Sequence, residues 1–138
     1  MLKKFLFLFK RKITKTNNMS KQILVHCTAG KEDAEKATLP FIVANVSATA
    51  DQDTTVFLTM EGVRVATKGY ADEIHKEGFT PLKEILDSFI SNGGKIWACG
   101  ACTKPRGITD ADLIEGAKIV TAANLVEVLV NGAVSCTV

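Results

Sequence analysis

The chain has 138 residues, of which 46% are hydrophobic and 23% are charged. This is the composition of one ordinary globular domain with enough apolar side chains to build a core. A chain of this length and apolar content does not need disulfides, so its four cysteines are expected to be reduced and the protein to be cytoplasmic.

The first 18 residues, MLKKFLFLFKRKITKTNN, differ in composition from the rest of the chain. They hold six Lys or Arg and no acidic residue, which leaves 11 basic against 15 acidic residues in the remainder. This balance argues against nucleic acid as a ligand. The apolar run Phe5 to Phe9 is too short for a signal peptide or a membrane span. We expect residues 1–18 to be a disordered extension, or absent if Met19 is the start, and residues 19–138 to form one domain. Contact with a membrane is expected only if the extension is real.

From Lys21 onwards, apolar runs and turn signals predict alternating strands and helices. Strands are predicted within residues 21–30, 54–60, 96–98, 117–121 and 133–138. Helices are predicted within residues 38–50, 81–92, 109–116 and 123–132. This alternating order predicts a three-layer α/β/α sandwich around a largely parallel sheet of about five strands.

Three segments raise separate questions. The helix predicted to begin at Thr38, with Pro40 in its first turn, is apolar on several faces, so we expect it to pack on the sheet or on another subunit. Residues 62–70 fit a short helix and an extra strand equally well. Residues 70–80 are expected to form a loop, and His75 within it to be solvated.

The stretch KIWACGACTKPRGIT, residues 95–109, is the candidate functional site. Residues 96–98 predict a short buried strand that places Cys99 at its carboxyl end, the edge at which parallel α/β sheets bind ligands. A thiolate is stabilised by nearby cations, which Lys104 and Arg106 would supply. Cys99 is therefore the candidate reactive thiol.

Cys102 follows Cys99 at CxxC spacing, which favours chemistry over simple packing of either cysteine. A structural zinc site needs four ligands, and no second pair completes one among the remaining candidates, Cys27, Cys136, His26 and His75. A thioredoxin-like site would place its pair after the first strand, so only a general dithiol remains from that class. Phosphate-binding glycine motifs are absent, as is the GxSxG motif of serine hydrolases. We expect neither a metal nor a cofactor.

Several segments together resemble the DsrE/DsrF-like family, which includes sulfur-relay proteins and peroxiredoxin-like small α/β proteins. The similar segments are LPFIVAN, VFLTMEGV, TPLKEIL and above all IWACGACTKPRGIT. The resemblance covers residues 21–138. Its most specific part is a cysteine at a strand end followed eight residues later by the glycine of an Arg-Gly pair, here Cys99 with Arg106 and Gly107.

The resemblance implies that Cys99 carries a persulfide and passes sulfur to an acceptor thiol, with Lys104, Arg106 and Gly107 binding or stabilising the thiolate. It also implies sulfur donor and acceptor proteins as partners, and a homotrimer or homohexamer. The relay members have no obligatory cysteine at the position of Cys102, so a CxxC dithiol redox protein remains an alternative. The other alternative is a non-catalytic oligomeric binding module.

Overall fold

The computed structural model describes residues 21–138 and contains five strands in one sheet. The expected extension, residues 1–18, lies outside the described residues. The strands are β1 (Ile23–Cys27), β2 (Thr54–Leu58), β3 (Lys95–Cys99), β4 (Ala117–Val120) and β5 (Val134–Thr137). Their order is β4-β3-β2-β1-β5, and every neighbouring pair is parallel. The predicted parallel sheet is confirmed.

Helices lie on both faces of this sheet, which confirms the predicted three-layer architecture. They are α1 (Ala34–Thr49), α2 (Leu82–Ser91), α3 (Gly100–Thr103) and α4 (Ala122–Val130). The larger core lies under α1 and α2, where Phe41 and Phe89 meet edge to face with their ring centroids 6.2 Å apart. We call this side of the sheet the front face.

The opposite side, the back face, carries a smaller apolar cluster. Phe57 of β2, Trp97 of β3 and Val120 of β4 form it, and Leu125 and Val128 of α4 pack against it. Successive residues of a strand point to opposite faces, so Leu58 and Ala98, the next residues after Phe57 and Trp97, belong to the front core. Within residues 21–138, the helix that packs on this back-face cluster is α4.

The predicted start of α1 was wrong. The helix begins at Ala34, with Asp33 as its N-cap, and the Asp33 side chain accepts a hydrogen bond of 3.0 Å from the backbone N–H of Lys36. Pro40 therefore lies in the helix interior, although the prediction had placed it in the first turn. Its missing N–H leaves the Lys36 carbonyl without its usual helical partner. The acidic residues before Thr38 belong to the helix and its cap.

Two connecting segments bear on the remaining predictions. One settles whether residues 62–70 begin as a helix or a strand, and the other contradicts a predicted helix. A 3-10 helix over Met60–Ala66 answers the open question about residues 62–70. The helix predicted over 109–116 is wrong, because only Asp110–Asp112 is helical. The Ile114 N–H donates to the Ala66 carbonyl at 2.9 Å, and this pairing between the two segments pulls the chain out of the helix. Within residues 21–138, no helix is both long and apolar enough to cross a membrane.

Candidate functional site at the carboxyl edge of the sheet

Cys99 lies where the sequence placed it, at the carboxyl end of β3, and is partly exposed. It is also the N-cap residue of the single helical turn α3. Its side chain lies at the boundary between the front core and the back-face cluster and packs against both. Gly100 follows directly, and a Cβ there would lie 3.2 Å from the Val120 carbonyl oxygen, so the chain leaves β3 close against β4. The thiol is thus held at the sheet edge without being enclosed.

Cys102 is the third residue of α3 and is also partly exposed. Its Sγ accepts a hydrogen bond of 3.2 Å from the backbone N–H of Met60. Met60 has a φ of 54°, a left-handed conformation that few residues other than glycine adopt, and 60% of its surface is exposed. Unusual backbone geometry of this kind clusters at functional sites. The structure therefore brings Met60, which sequence analysis missed, to the CxxC pair.

Arg106 connects the cysteine loop to the segment after β2. Its Nε donates to Glu61 Oε1 at 2.7 Å, and its Nη1 donates to the Cys102 carbonyl oxygen at 3.0 Å. Arg64 holds the other carboxylate oxygen of Glu61 at 2.9 Å. These bonds, first that from Arg106 and then that from Arg64, keep the pKa of Glu61 below its ordinary value. The hydrogen bonds of Arg106 thus fix the loop and involve neither sulfur.

Two other predicted site residues occupy the same loop. Lys104 is exposed, and the carbonyl of Lys104 accepts the backbone N–H of Gly107 at 3.1 Å. Gly107 has a φ of 68°, the left-handed conformation that ends the 3-10 turn Lys104–Arg106. A glycine suits this position because a Cβ would be strained there. These residues shape the turn that places Arg106 against Glu61.

An open pocket of about 430 Å³ lies beside this loop. It is formed where the carboxyl ends of β1 and β2 meet the start of α1 and the cysteine loop. Its lining residues are Thr28, Ala29, Glu32, Asp33, Lys36, Met60, Glu61 and Arg106. Met60 links this pocket to Cys102, because it lines the pocket and its N–H donates to Cys102 Sγ.

The remaining cysteines are placed differently. Cys27 ends β1 but points into the front core, where 1% of its surface is exposed, and burial raises the pKa of its thiol to about 11. Cys136 lies on the edge strand β5, opposite Val25 of β1. All four cysteines are free thiols. The described part of the chain gathers no cluster of three His, Cys, Asp or Glu side chains that would hold a metal ion.

Comparisons with known proteins agree with this architecture. The model of the DsrE/DsrF-like family matches residues 21–134. The uncharacterized protein MJ0760 of Methanocaldococcus jannaschii is 32% identical over 108 residues, which are 78% of this chain and 39% of that protein. The uncharacterized protein MJ0989 of the same organism is 33% identical over 104 residues, which are 75% of this chain and 85% of that protein. The chain thus spans less than half of the first relative and most of the second.

Among solved structures, the ychN protein from E. coli has a similar fold. The match has a TM-score of 0.70 and 21% identity, and it covers 86% of this chain and 99% of that one. The family model covers most of the chain and includes the cysteine loop. The protein is a small parallel α/β protein with a thiol at the carboxyl edge of its sheet. The chain belongs to the DsrE/DsrF-like family, as its sequence predicted.

Proposed function

We propose that the protein is a sulfur carrier in which Cys99 holds a persulfide. The placement of the Cys99 thiol is the observation that carries this proposal. It lies partly exposed at the carboxyl edge of the sheet, at the N-cap of α3, whereas the Cys27 thiol at the end of β1 is buried. A nucleophilic thiol must be reachable by a second protein's sulfur, and Cys99 meets that requirement. Family membership supports the same role, because the DsrE/DsrF-like family includes sulfur-relay proteins.

Two displacement steps describe the reaction. The Cys99 thiolate attacks the outer sulfur of a donor persulfide, the sulfur–sulfur bond of the donor breaks, and its electron pair leaves with the donor thiolate. Cys99 then carries one additional sulfur atom. An acceptor thiolate attacks that outer sulfur, and the electron pair of the broken bond returns to Cys99. The partners are therefore donor and acceptor proteins with reactive thiols.

A dithiol function is the second candidate, and the spacing of Cys99 and Cys102 on α3 supports it. Cys99 and Cys102 stand three positions apart on one helical turn, where Cβ atoms are about 5–6 Å apart. This separation is within reach of a disulfide after a small adjustment. The Met60 N–H donates a hydrogen bond to Cys102 Sγ, which fixes the position of that sulfur. Cys102 would then attack the inner sulfur of the Cys99 persulfide, form a disulfide and release hydrosulfide.

Mass spectrometry of the intact protein after incubation with a sulfane-sulfur donor tests the proposal. We expect a gain of one sulfur atom in the wild type, no gain in Cys99→Ser, and a retained gain in Cys102→Ser, because persulfide storage needs one thiolate only. Cys136→Ser, which replaces a partly exposed thiol far along the sheet, serves as the matched control and should keep the gain. Loss of the gain in Cys102→Ser, with Cys99 still reactive, would instead support the dithiol.

We also propose that the chain forms a homotrimer or homohexamer through α1. Leu39, Val43 and Val46 are 37%, 37% and 43% exposed and form one stripe along this helix. Light scattering should give a multiple of the 14.9 kDa chain mass. Val46→Glu should lower that mass, because it places a charge in the stripe. Val130→Glu on α4, at a residue that is 79% exposed, should leave it unchanged. A monomeric wild type would refute the proposal.

A further inference from the structure

His26 lies on the back face near the carboxyl end of β1 and is absent from the functions assigned above. Its Nε2 lies 2.9 Å from the Thr59 hydroxyl oxygen, and its ring stacks on Phe57 with the centroids 5.7 Å apart. The ring also lines a back-face groove of about 120 Å³ beneath α4. His26 is thus half-buried and oriented by one specific hydrogen bond to a hydroxyl group.

Thr59 connects this histidine to the reactive thiol. The β2–β3 register pairs Leu58 with Ala98, and Thr59 continues β2 with extended dihedral angles of −129° and 169°. The Thr59 N–H still bonds the Cys27 carbonyl at 3.0 Å, so the parallel ladder extends through Thr59. Continuing the register by one residue places Thr59 opposite Cys99.

The side chains of these residues share one face of the sheet. Phe57 and Trp97 both belong to the back-face cluster, and side chains two residues apart on a strand point to the same side. Thr59 and Cys99 each follow two residues after one of these aromatic residues, and Cys99 packs against the back-face cluster. Side chains at paired positions of adjacent strands have Cβ atoms about 5 Å apart. Thr59 and Cys99 thus stand side by side on the back face, and His26, which pairs with Phe57 two residues before Thr59, reaches the Thr59 hydroxyl diagonally.

We propose that His26 accepts the proton of the Cys99 thiol through the Thr59 hydroxyl. In this step the Cys99 S–H bond breaks and its proton goes to Thr59 Oγ1, while the Thr59 proton goes to His26 Nε2. The products are a thiolate and an imidazolium, and the threonine is unchanged. After sulfur transfer, the departing donor thiolate takes the proton back. His26 acts through Thr59 and is a positioning residue in this relay.

The surroundings of His26 suit an acceptor. Among residues 21–138, none of the other side chains that line the groove is ionisable at neutral pH; they are Leu24, Phe57, Leu125, Leu129, Ser135 and Thr137. On the back face of β4, Lys118 lies over the Trp97 ring at 5.1 Å. Burial lowers the pKa of His26, so the imidazole is neutral near pH 7, and in the tautomer with its proton on Nδ1 the lone pair of Nε2 faces the Thr59 hydroxyl.

The relay rests on Cys99 being the reactive thiol, as the proposed function does, but its test needs no persulfide. The rate of iodoacetamide labelling of Cys99 would be measured by peptide mapping between pH 6 and 9, with Cys136 in the same sample as the reference. We expect His26→Gln and Thr59→Val to slow Cys99 labelling at pH 7 by about tenfold, because the first removes the imidazolium that stabilises the Cys99 thiolate and the second removes the hydroxyl through which it acts. Thr59→Ser keeps the hydroxyl and should label at the wild-type rate.

A purely structural role for His26 makes different predictions. It would leave the ratio of Cys99 to Cys136 labelling the same in Thr59→Val and Thr59→Ser, and that result would overturn the relay even if His26→Gln did not fold.

The NMR titration of the His26 ring gives a second measurement. Its midpoint should fall in Cys99→Ser, because the imidazolium loses its thiolate partner. An unchanged midpoint would also overturn the relay. Failure of the persulfide test with the labelling differences intact would reject only the carrier function.

Discussion

At pH 7.5, iodoacetamide should label Cys99 at least about a hundred times faster than Cys27 in the folded protein. Burial raises the pKa of Cys27 to about 11. Compared with the ordinary thiol pKa of 9.0, this shift alone lowers the thiolate fraction by roughly 100-fold. The reagent must also reach the sulfur of Cys27, a residue with only 1% of its surface exposed. Cys99, at the sheet edge, has no such barrier.

Peptide mapping after brief labelling measures both rates in one sample, and guanidinium chloride supplies the control. In the unfolded chain the two cysteines should label within a few-fold of each other, because burial no longer separates them. Cys136, which is partly exposed on β5, is expected to label more slowly than Cys99. Preferential labelling of Cys27 in the folded protein would move the reactive site to β1.

The same shift makes stability depend on pH in a defined direction. Cys27 is a protonated thiol in the folded core, and folding raises its pKa from 9.0 to about 11. The stabilisation from this neutral thiol is fully present below pH 9 and is lost as the pH rises towards 11. Alkaline pH should therefore lower the free energy of unfolding, because the buried Cys27 thiol, which is unreactive at neutral pH, then ionises.

The elements of the fold could largely be predicted from local patterns. Short apolar runs closed by turn residues predicted each strand, and the strand ending at Cys99 was confirmed together with its parallel neighbours. The stripe of Leu82, Ile85, Leu86, Phe89 and Ile90 predicted α2. The first four of these residues are buried, and Ile90 is partly buried against the core. Local prediction succeeded here because periodicity alone decides which residues reach the core.

The helix boundaries were harder because local signals competed. Pro40 is usual in a first helical turn, so it suggested a start near Thr38. The Asp33 cap formed one turn earlier, and the buried environment of Pro40 compensates for the lost backbone bond. At residues 109–116 the capping pair Thr109 and Asp112 formed as predicted. Pairing with residues 66–67 then ended the helix, a long-range contact that no local pattern contains.

The parts of the candidate site that sequence missed come from other strands. Met60 and Glu61 follow β2, and His26 lies on β1, yet all approach the cysteine segment after β3 because the order is β3-β2-β1. Strand order depends on how distant segments pair, and a single sequence does not reveal it. The pairing of Arg106 with Glu61 likewise required the fold.

Strand order also explains why two strand-end cysteines differ. Cys27 and Cys99 both end parallel strands at the same edge of the sheet. Cys27 lies on the front face beneath α1, where its sulfur is enclosed by core side chains. Cys99 ends a strand two positions further towards the β4 edge and begins a helical turn that leaves the sheet. Position on the sheet therefore decides how far each thiol is exposed more than the residue's place in its strand.

Gly62→Ala should lower the free energy of unfolding by about 2–3 kcal/mol, which corresponds to a melting temperature roughly 10 °C lower. A Cβ at this position would lie 2.7 Å from the Cys27 carbonyl oxygen and 3.1 Å from the Thr28 carbonyl carbon. Both are backbone atoms, so no side-chain rotation relieves the contact. The Gly62 N–H also donates to the Thr28 carbonyl at 3.1 Å, and moving the segment would break this bond.

Thermal unfolding followed by circular dichroism measures this loss, and Gly100→Ala is the matched control. A Cβ at Gly100 would be 3.2 Å from the Val120 carbonyl oxygen, a contact that a shift of a few tenths of an ångström relieves. Its cost should stay below about 1 kcal/mol, and alanine also favours the helical turn. Because Gly62 anchors the segment that carries Met60 and Glu61, Gly62→Ala should also loosen the contacts to Cys102 and Arg106. A Gly62→Ala protein that melts with the wild type would show that β1 and this segment are not held at the observed distance.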